Sequence, residues 1–422
     1  MPVWLRALPD RRDREACDYS NAVLAWTAIL MFQVRLGARR QIRHVLGTEP
    51  VRARLQGLCD GEAVPAVPHG DTVDDYLSTV DPAATQAVSQ AMVRALLEAR
   101  RLESFRLLDR YYLVTTDLTG HLYLGDSPSA FTEGCLTQQA EDGRTLYYRP
   151  VCEAKLVTHS GLALSIGSEF VENPAARPAD SPQDSELPAA GRLFKTVKRA
   201  FPGFAFCALL DSRYANDTGF AMCRENDWRF IITLKEGSLP SVWKEFETLR
   251  QHAPENRRQV TVNHITYQYA WVNGIPYGDH SLNVLECRFT DAAGDHRFVW
   301  VTDLEVTATT CHPLAQEGGR GRWKTENEGF RAQKHAGFAM EHAYAKRPAS
   351  AKNFYLLLQV AHILSQMFEC YCRGKTHVKR TFGSLRNLAR FLLESFRRDA
   401  IPAPEALSQF LEQPIQVRLD SS

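Results

Sequence analysis

Residues 204–234 read FAFCALLDSRYANDTGFAMCRENDWRFIITL, and this stretch decides the fold class. Residues 204–210 form a short apolar run between turn residues, which is typical of a strand buried on both faces. Residues 215–226 fit a helix, and residues 228–234 form a second apolar strand. A strand, a helix and a strand in succession imply a parallel crossover within one sheet. We therefore expect a mixed α/β fold.

Further strands are predicted on both sides of this unit. Residues 107–125, 145–158 and 162–170 are rich in β-branched and aromatic residues and are separated by turn residues, which predicts an antiparallel meander. Residues 259–301 alternate again and contain Asn273-Gly274, the strongest short signal for a hairpin turn. The sequence thus predicts a second, β-rich unit after the crossover.

The regions outside the strands show helical periodicity, with apolar residues recurring every three or four positions. A break at Asp81-Pro82 divides the N-terminal helices, and further helices are predicted at about 186–200, 319–342 and 350–372. The predicted organisation has five parts. These are an all-helical N-terminal region with possible DNA-end contact at 1–104, a first part of the α/β core at 105–236, a β-rich insertion at 237–304, a second part of the core at 305–372 and a basic helical C-terminal region at 373–422.

Composition narrows the class of protein. The chain has 422 residues, 44% of them apolar and 23% charged, which is ordinary for a soluble globular protein and excludes a disordered one. The net charge of +1 argues against a uniformly cationic surface. No signal-peptide layout opens the sequence, and its longest apolar run, residues 22–32, is too short for a bilayer. We expect a cytoplasmic protein without a membrane partner.

Three carboxylates lie in or at the end of predicted strands and in a predicted helix, where a charged side chain does not favour folding. Asp117 lies inside a predicted strand, Asp211 closes the first buried strand, and Glu326 lies in a predicted helix. Each has a structural alternative, because Asp211 would also cap a following helix and Glu326 would also sit on a solvated helix face. The carboxyl ends of strands in an α/β sheet form the crevice in which ligands bind. The three acids together therefore predict a functional site.

The chemistry of this site follows from its ligands. Oxygen ligands without His or Cys select Mg²⁺ or Mn²⁺, and such sites take phosphate oxygens as further ligands. Two ions would serve phosphodiester chemistry by activating the attacking oxygen and stabilising the leaving one. Arg322 precedes Glu326 by four residues, so both project from one helix face, where the arginine would hold a phosphate or simply pair with the glutamate.

At these residues the chain resembles a bacterial insertion-sequence transposase of the Asp-Asp-Glu type. The resemblance covers roughly residues 105–370. It is carried by YLVTTDLTG around Asp117, by LLDSRYANDTGFAMCRENDWRFIITLK around Asp211, and by WVTDLEVT followed by RWKTENEGFRAQK around Glu326. It implies a ribonuclease-H-like mixed sheet with flanking helices, interrupted by a β-rich insertion before the glutamate.

The resemblance also implies site residues. Asp117, Asp211 and Glu326 would bind two Mg²⁺ ions, and Arg322 would contact the DNA backbone. Relatives carry a tyrosine three residues before this arginine and a lysine seven residues after the glutamate. Here those positions hold Gly319 and Gln333. The nearest lysine is Lys334, which would contact DNA in the same groove only through the length of its side chain.

Further DNA contacts are expected from aromatic and basic residues. Trp271 and Trp300 in the β-rich insertion would stack on a flipped base or, alternatively, belong to the core. Residues 34–56 and 369–400 are rich in arginine and lysine and would track phosphates or form solvated faces. In these two clusters, the residues expected to contact DNA are Arg39, Arg40, Lys379 and Arg380.

The implied activity is metal-dependent cleavage at the ends of a DNA element and transfer of the freed 3′-OH ends into target DNA. The partners would be double-stranded DNA and a second copy of the chain, as a homodimer on paired ends. Two alternatives stay open: a transposase-derived DNA-binding protein without catalysis, and a stand-alone metal-dependent nuclease that cuts without joining.

Overall fold

The computed structural model describes residues 2–13, 15, 17–129, 131–174, 181–371 and 375–398. The N-terminal region is helical, as the periodicity predicts. Its helices are α1 (Pro2–Arg6), α2 (Asn21–Gln33), α3 (Glu49–Leu58), α4 (Gly70–Leu77) and α5 (Pro82–Glu98). Helix α5 begins at the Asp81-Pro82 break, because the Asp81 side chain accepts a hydrogen bond from the backbone N–H of Ala83.

All strands among the described residues belong to one sheet of ten. They are β1 (Tyr112–Gly125), β2 (Leu136–Gln139), β3 (Thr145–Val157), β4 (Ala163–Phe170), β5 (Phe206–Leu210), β6 (Arg229–Thr233), β7 (Arg257–Val262), β8 (Ile265–Tyr277), β9 (His280–Asp291) and β10 (Gly294–Thr302). The order across the sheet is β2-β3-β1-β5-β6-β10-β9-β8-β7, with β4 paired to β3. The protein is a mixed α/β protein, as expected.

The predicted pairing of the central strands is confirmed. Strands β1, β5 and β6 run parallel, whereas β1, β3 and β4 form the antiparallel meander. Helix α6 (Glu186–Ala200) precedes β5, and α7 (Asp217–Glu225) provides the crossover from β5 to β6. Helix α8 (Pro240–His252) follows β6. The strands of the predicted β-rich insertion continue the same sheet, because β10 pairs antiparallel with β6.

The hairpin turn predicted at Asn273-Gly274 is wrong. Strand β8 runs through this position, and the pairing of β8 with β9 shifts register between Val272 and Ile275, which is the mark of a β-bulge. The chain turns instead between Tyr277 and His280. The Asn273 side chain instead donates a hydrogen bond to the carbonyl of Val306 and accepts one from the Val306 N–H. These two bonds hold the loop that follows β10 against β8.

An irregular helical segment, residues 311–335, crosses one face of the sheet. It consists of α9 (Cys311–Pro313), a π-helical turn Leu314–Gly318, a 3-10 turn Gly319–Arg322, a second π-helical turn Thr325–Phe330, and α10 (Arg331–His335). We call it the crossing segment. The predicted helix at 319–342 is therefore correct only in part, because regular α-helix is confined to α10 and helical structure ends at His335.

Glycines let the crossing segment lie close to the strands. A Cβ atom on Gly319 would be 2.3 Å from the indole of Trp300 in β10, and one on Gly318 would be 2.4 Å from Ile231 in β6. Gly321 faces Leu209 in β5. These contacts hold the segment against the sheet at van der Waals distance.

The remaining described helices are α11 (Pro348–Tyr371), α12 (Lys375–Phe382) and α13 (Leu385–Arg398). Helix α11 packs against α2 and α5. Within the part of the chain that the structure describes, no helix combines the length and the apolar character needed to cross a bilayer. Residues 399–422 of the predicted basic C-terminal region lie outside the described residues.

Candidate acidic site on the central strands

Asp117 and Asp211 lie side by side on neighbouring parallel strands. The register of β1 and β5 pairs Leu113 with Cys207 and Thr115 with Leu209. Asp117 and Asp211 each come two residues after the last of these pairs, so both aspartates project from the same face of the sheet. The predicted convergence of these two acids follows from this register.

The folded chain disfavours the charged form of Asp117. The side chain is only 27% exposed, and burial is the main reason that its pKa is raised to about 6. The positive charge of Arg322 opposes this shift, and the negative charges of Glu186 and Asp211 add to it. A carboxyl group that titrates near neutral pH in an acidic cluster is typical of functional sites.

Asp211 also has the structural role that the sequence offered as its alternative. Its Oδ1 accepts a hydrogen bond of 2.8 Å from the backbone N–H of Arg213, which caps a 3-10 turn at Ser212–Tyr214. The second carboxylate oxygen has no such bond in the described residues. Capping the turn and presenting an oxygen to a ligand are therefore compatible.

Glu186 is a member of this site that sequence reasoning missed. It lies in the first turn of α6 with a side chain that is 12% exposed. Its carboxylate accepts hydrogen bonds from the Tyr214 hydroxyl at 3.0 Å and from the Arg213 guanidinium at 2.9 Å. Glu186 thus clamps the turn that begins at Asp211. A glutamate in the first turn of a helix is common for electrostatic reasons alone, so no sequence signal marks Glu186 as a site residue.

The crossing segment meets the aspartates at two points. The hydroxyl groups of Thr115 and Thr325 are in buried contact, which seats the segment on β1 two residues before Asp117. A guanidinium nitrogen of Arg322 lies 3.7 Å from Oδ2 of Asp117. Arg322 is therefore at the acidic pair, as its predicted role requires.

Glu326 is next to this contact in sequence, and its side chain is exposed. Its turn is π-helical rather than α-helical, so the shared helix face that α-helical spacing predicts for Arg322 and Glu326 does not apply. Among the described residues, no three His, Cys, Asp or Glu side chains lie close enough together to hold a metal ion. The shared metal binding of Asp117, Asp211 and Glu326 stays a prediction.

A divalent cation fits the aspartate pair by its chemistry. Two hard oxygen donors lie beside the carboxyl end of β5. The pKa of Asp117 is raised mainly by burial, and the negative charges of Glu186 and Asp211 add to this shift. Asp117 and Asp211 would hold the ion, and it would supply Lewis-acid activation of a phosphodiester.

The aromatic residues expected to stack on DNA are not available to it. Trp271 is 3% exposed and Trp300 is 2% exposed, and both belong to one core cluster beneath the crossing segment. The stacking prediction is therefore wrong for both, because their strands turn these side chains toward the covered face of the sheet. The exposed tryptophan near the site is Trp323, which is 54% exposed and packs against the Arg322 guanidinium.

The predicted basic contacts have different outcomes. Lys334 pairs with Glu341 at 3.1 Å, and Arg39 pairs with Asp71 and Asp74. Arg40, Lys379 and Arg380 are exposed. Lys379 lines a cleft of about 740 Å³ between the end of the crossing segment and the α11–α12 region. Their contact with DNA stays a prediction.

A buried ion pair lies behind the site on the same face. Glu153 is the register partner of Asp117 on β3, and Lys155 is the partner of Thr115. The Lys155 ammonium donates to Glu153 at 3.3 Å and to Gln359 of α11 at 3.0 Å. Both charged side chains are completely buried. The Gln333 side chain is also buried, and its amide donates a hydrogen bond to Gln359.

No protein-family model and no curated protein matches this chain.

Proposed function

We propose that this chain is a DNA transposase of the Asp-Asp-Glu type, with a ribonuclease-H-like core, that cleaves element ends and joins them to target DNA. One observation carries the proposal. Asp117 and Asp211 stand in register on adjacent parallel strands, and Arg322 reaches Asp117 from the segment that also bears Glu326. Parallel strands β1, β5 and β6 beside an antiparallel β3 support the proposed core.

Each residue has a role in this proposal. Two Mg²⁺ or Mn²⁺ ions, when bound, supply the electrostatic stabilisation of an in-line phosphoryl transfer. Asp117 and Asp211 hold the reacting centre beside the carboxyl end of β5, and Arg322 binds a backbone phosphate of the DNA. Glu326 lies four residues after Arg322 in the crossing segment, and in this proposal it completes the acidic set when DNA binds.

The test uses duplexes from the DNA that flanks the gene, incubated with the full chain and Mg²⁺. We expect strand cleavage by the unaltered chain and its loss, by about a thousandfold or more, in Asp117→Asn, Asp211→Asn and Glu326→Gln. Glu141→Gln is the matched control, since Glu141 is exposed on the turn between β2 and β3. Cleavage that survives Asp117→Asn contradicts the proposal.

A second assay separates a transposase from a nuclease. A pre-cleaved duplex bearing a free 3′-OH is mixed with supercoiled plasmid, and the joined product is measured. A transposase yields covalently joined DNA, whereas a nuclease yields only cut DNA.

The second candidate, a DNA-binding protein without catalysis, is favoured by the exposed position of Glu326 apart from any three-carboxylate cluster in the described residues. Titration calorimetry with Mn²⁺ in the presence of duplex DNA distinguishes it. A catalytic chain takes up Mn²⁺ in a manner that all three acid substitutions weaken, and a pure DNA-binding protein shows no such dependence.

A further inference from the structure

The strands β7 to β10 present a row of polar side chains on the face opposite to the acidic pair. Gln259 pairs in register with Gln268, Gln268 with Arg288, and Arg288 with Arg297. Residues directly opposite each other in an antiparallel sheet point to the same side, so these four side chains form a line across the strands. With about 4.8 Å between strands, the line is about 14 Å long.

The orientation of this row follows from strand alternation. Tyr269 and Trp271 of β8 belong to the core cluster that also contains Leu113 and Leu209, which lie four and two residues before Asp117 and Asp211 and so share their face of the sheet. Gln268 stands between core positions and therefore points away from that core. The row and the acidic pair lie on opposite faces, and β7 is five strand spacings, about 24 Å, from β5.

Arginines concentrate around the row. Arg257 of β7 lies on the same face as the row, since it pairs in register with Ala270. Arg250, in the last turn of α8, lies beside the row. Arg250, Arg257 and Arg288 line a cleft of about 530 Å³ together with both glutamines of the row. Arg258 alternates to the other face, where it donates to the carbonyl of Ala308.

The local charge is positive although two acids are present. Glu286 accepts hydrogen bonds from Arg250 at 2.7 Å, Arg288 at 3.0 Å and Arg297 at 2.6 Å, and it is 4% exposed. The second acid, Glu247, pairs with Arg250 and Arg297. The row and its surroundings therefore hold four arginines and two glutamates, which leaves a positive net charge. Arg257 has no carboxylate within ion-pair distance among the described residues, and its bond goes to the Arg250 carbonyl.

We propose that this surface, the arginine row, binds the sugar-phosphate backbone of duplex DNA at a stretch separate from the one at the aspartates. Guanidinium groups form bidentate hydrogen bonds with phosphate oxygens, and exposed glutamine amides add neutral donors. The glutamates orient the arginines and do not cancel their charge. The proposal rests on the proposed function in taking DNA as the partner. It adds a second contact surface, and base identity is not read there.

The test is the salt dependence of binding to a labelled 30-base-pair duplex of arbitrary sequence, measured by fluorescence anisotropy with the full chain. Each phosphate contact contributes about 0.9 to the slope of log K against log salt. The double variant Arg257→Gln/Arg288→Gln should lower that slope by about 2 and weaken binding equally for unrelated sequences. The control is Arg110→Gln/Arg224→Gln, which removes two other exposed arginines.

A slope that is unchanged in Arg257→Gln/Arg288→Gln overturns the proposal, and so does an equal fall in the control pair or a wild-type chain that does not bind duplex. Thermal unfolding of each variant shows that it is folded, and Arg257→Gln alone, at an exposed position on the edge strand, should lower the slope by about 1. Failure here is distinct from failure of the proposed function, because cleavage dependent on Asp117 and Asp211 is measured separately.

Discussion

Asp117 is an acid whose charged form is disfavoured by the fold, and this has a measurable consequence for stability. Its pKa is about 6 in the folded chain, compared with 3.8 as the ordinary value. Between these two values the unfolded chain is ionised and the folded chain keeps its proton. Asp117 therefore reduces stability progressively as pH rises from about 4 to about 6, and the loss is complete above that range.

We expect Asp117→Asn to stabilise the protein at pH 7.5 by about 1–2 kcal/mol, because the amide carries no charge to desolvate and the partial exposure of the site reduces the full effect. At pH 4.5 the gain should be much smaller. Urea unfolding at the two pH values measures the difference in unfolding free energy between the variant and the unaltered protein. A difference in unfolding free energy that does not change with pH contradicts the assigned shift.

Glu186 controls the same titration through its charge. Its carboxylate raises the pKa of Asp117, so Glu186→Gln should lower that pKa from about 6 toward its ordinary value. Carboxyl carbon NMR of labelled aspartate gives the titration directly. Glu141→Gln, at an exposed turn, is the control and should leave the Asp117 titration where it is. An unchanged midpoint in Glu186→Gln would show that Glu186 acts only by clamping the turn.

At the scale of elements, the crossing segment places Arg322 and Glu326 relative to the sheet. Its irregular turns bring Gly318, Gly319 and Gly321 against β6, β10 and β5, where a side chain would collide with the strands or crowd them. The buried Lys155 in turn packs under Gly329. The position of the acidic site thus depends on close backbone contacts far from the carboxylates.

Gly319→Ala tests this dependence. The added Cβ would lie 2.3 Å from the Trp300 ring, so we expect a loss of about 1–3 kcal/mol in unfolding free energy and a changed near-ultraviolet circular dichroism signal. Gly57→Ala is the control. Gly57 lies inside α3 with nothing within 4 Å of the added atom, so the substitution should stabilise by about 0.5–1 kcal/mol. Equal effects of the two substitutions would contradict the proposed packing.

At the scale of the molecule, the predicted insertion is structurally continuous with the core. Strand β10 pairs with β6, and one apolar cluster contains Leu209 of β5 together with Trp271 and Trp300 of the insertion. Removing residues 237–304 would expose this cluster and one edge of β6. An insertion in the sequence is therefore not an independent unit of the fold.

Cooperative unfolding is the expected result. With fluorine-labelled tryptophan, the native NMR signals of Trp271 and Trp300 should disappear at the same urea concentration as that of Trp228, which precedes β6. Trp323, exposed on the crossing segment, provides a reference for a solvent-accessible ring. Earlier loss of the Trp271 and Trp300 signals would show that the β7–β10 part unfolds by itself.

Local sequence signals determined much of the architecture. The apolar runs at 204–210 and 228–234 become adjacent parallel strands because buried strands need continuous apolar residues on both faces. The predicted helix at 186–200 is observed as α6 with those bounds. Asp117 and Asp211 were selected as carboxylates at strand positions, and the parallel register brings them together.

Only the tertiary structure decided the rest. Whether Asn273-Gly274 makes a turn or a bulge depends on the pairing of β8 with β9, and whether Trp271 and Trp300 are buried depends on which face of the sheet the crossing segment covers. The entry of Glu186 into the site required α6 to begin beside the Asp211 turn. Periodicity in a sequence reports which residues share a face, whereas what that face meets is determined by contacts between residues far apart in the chain.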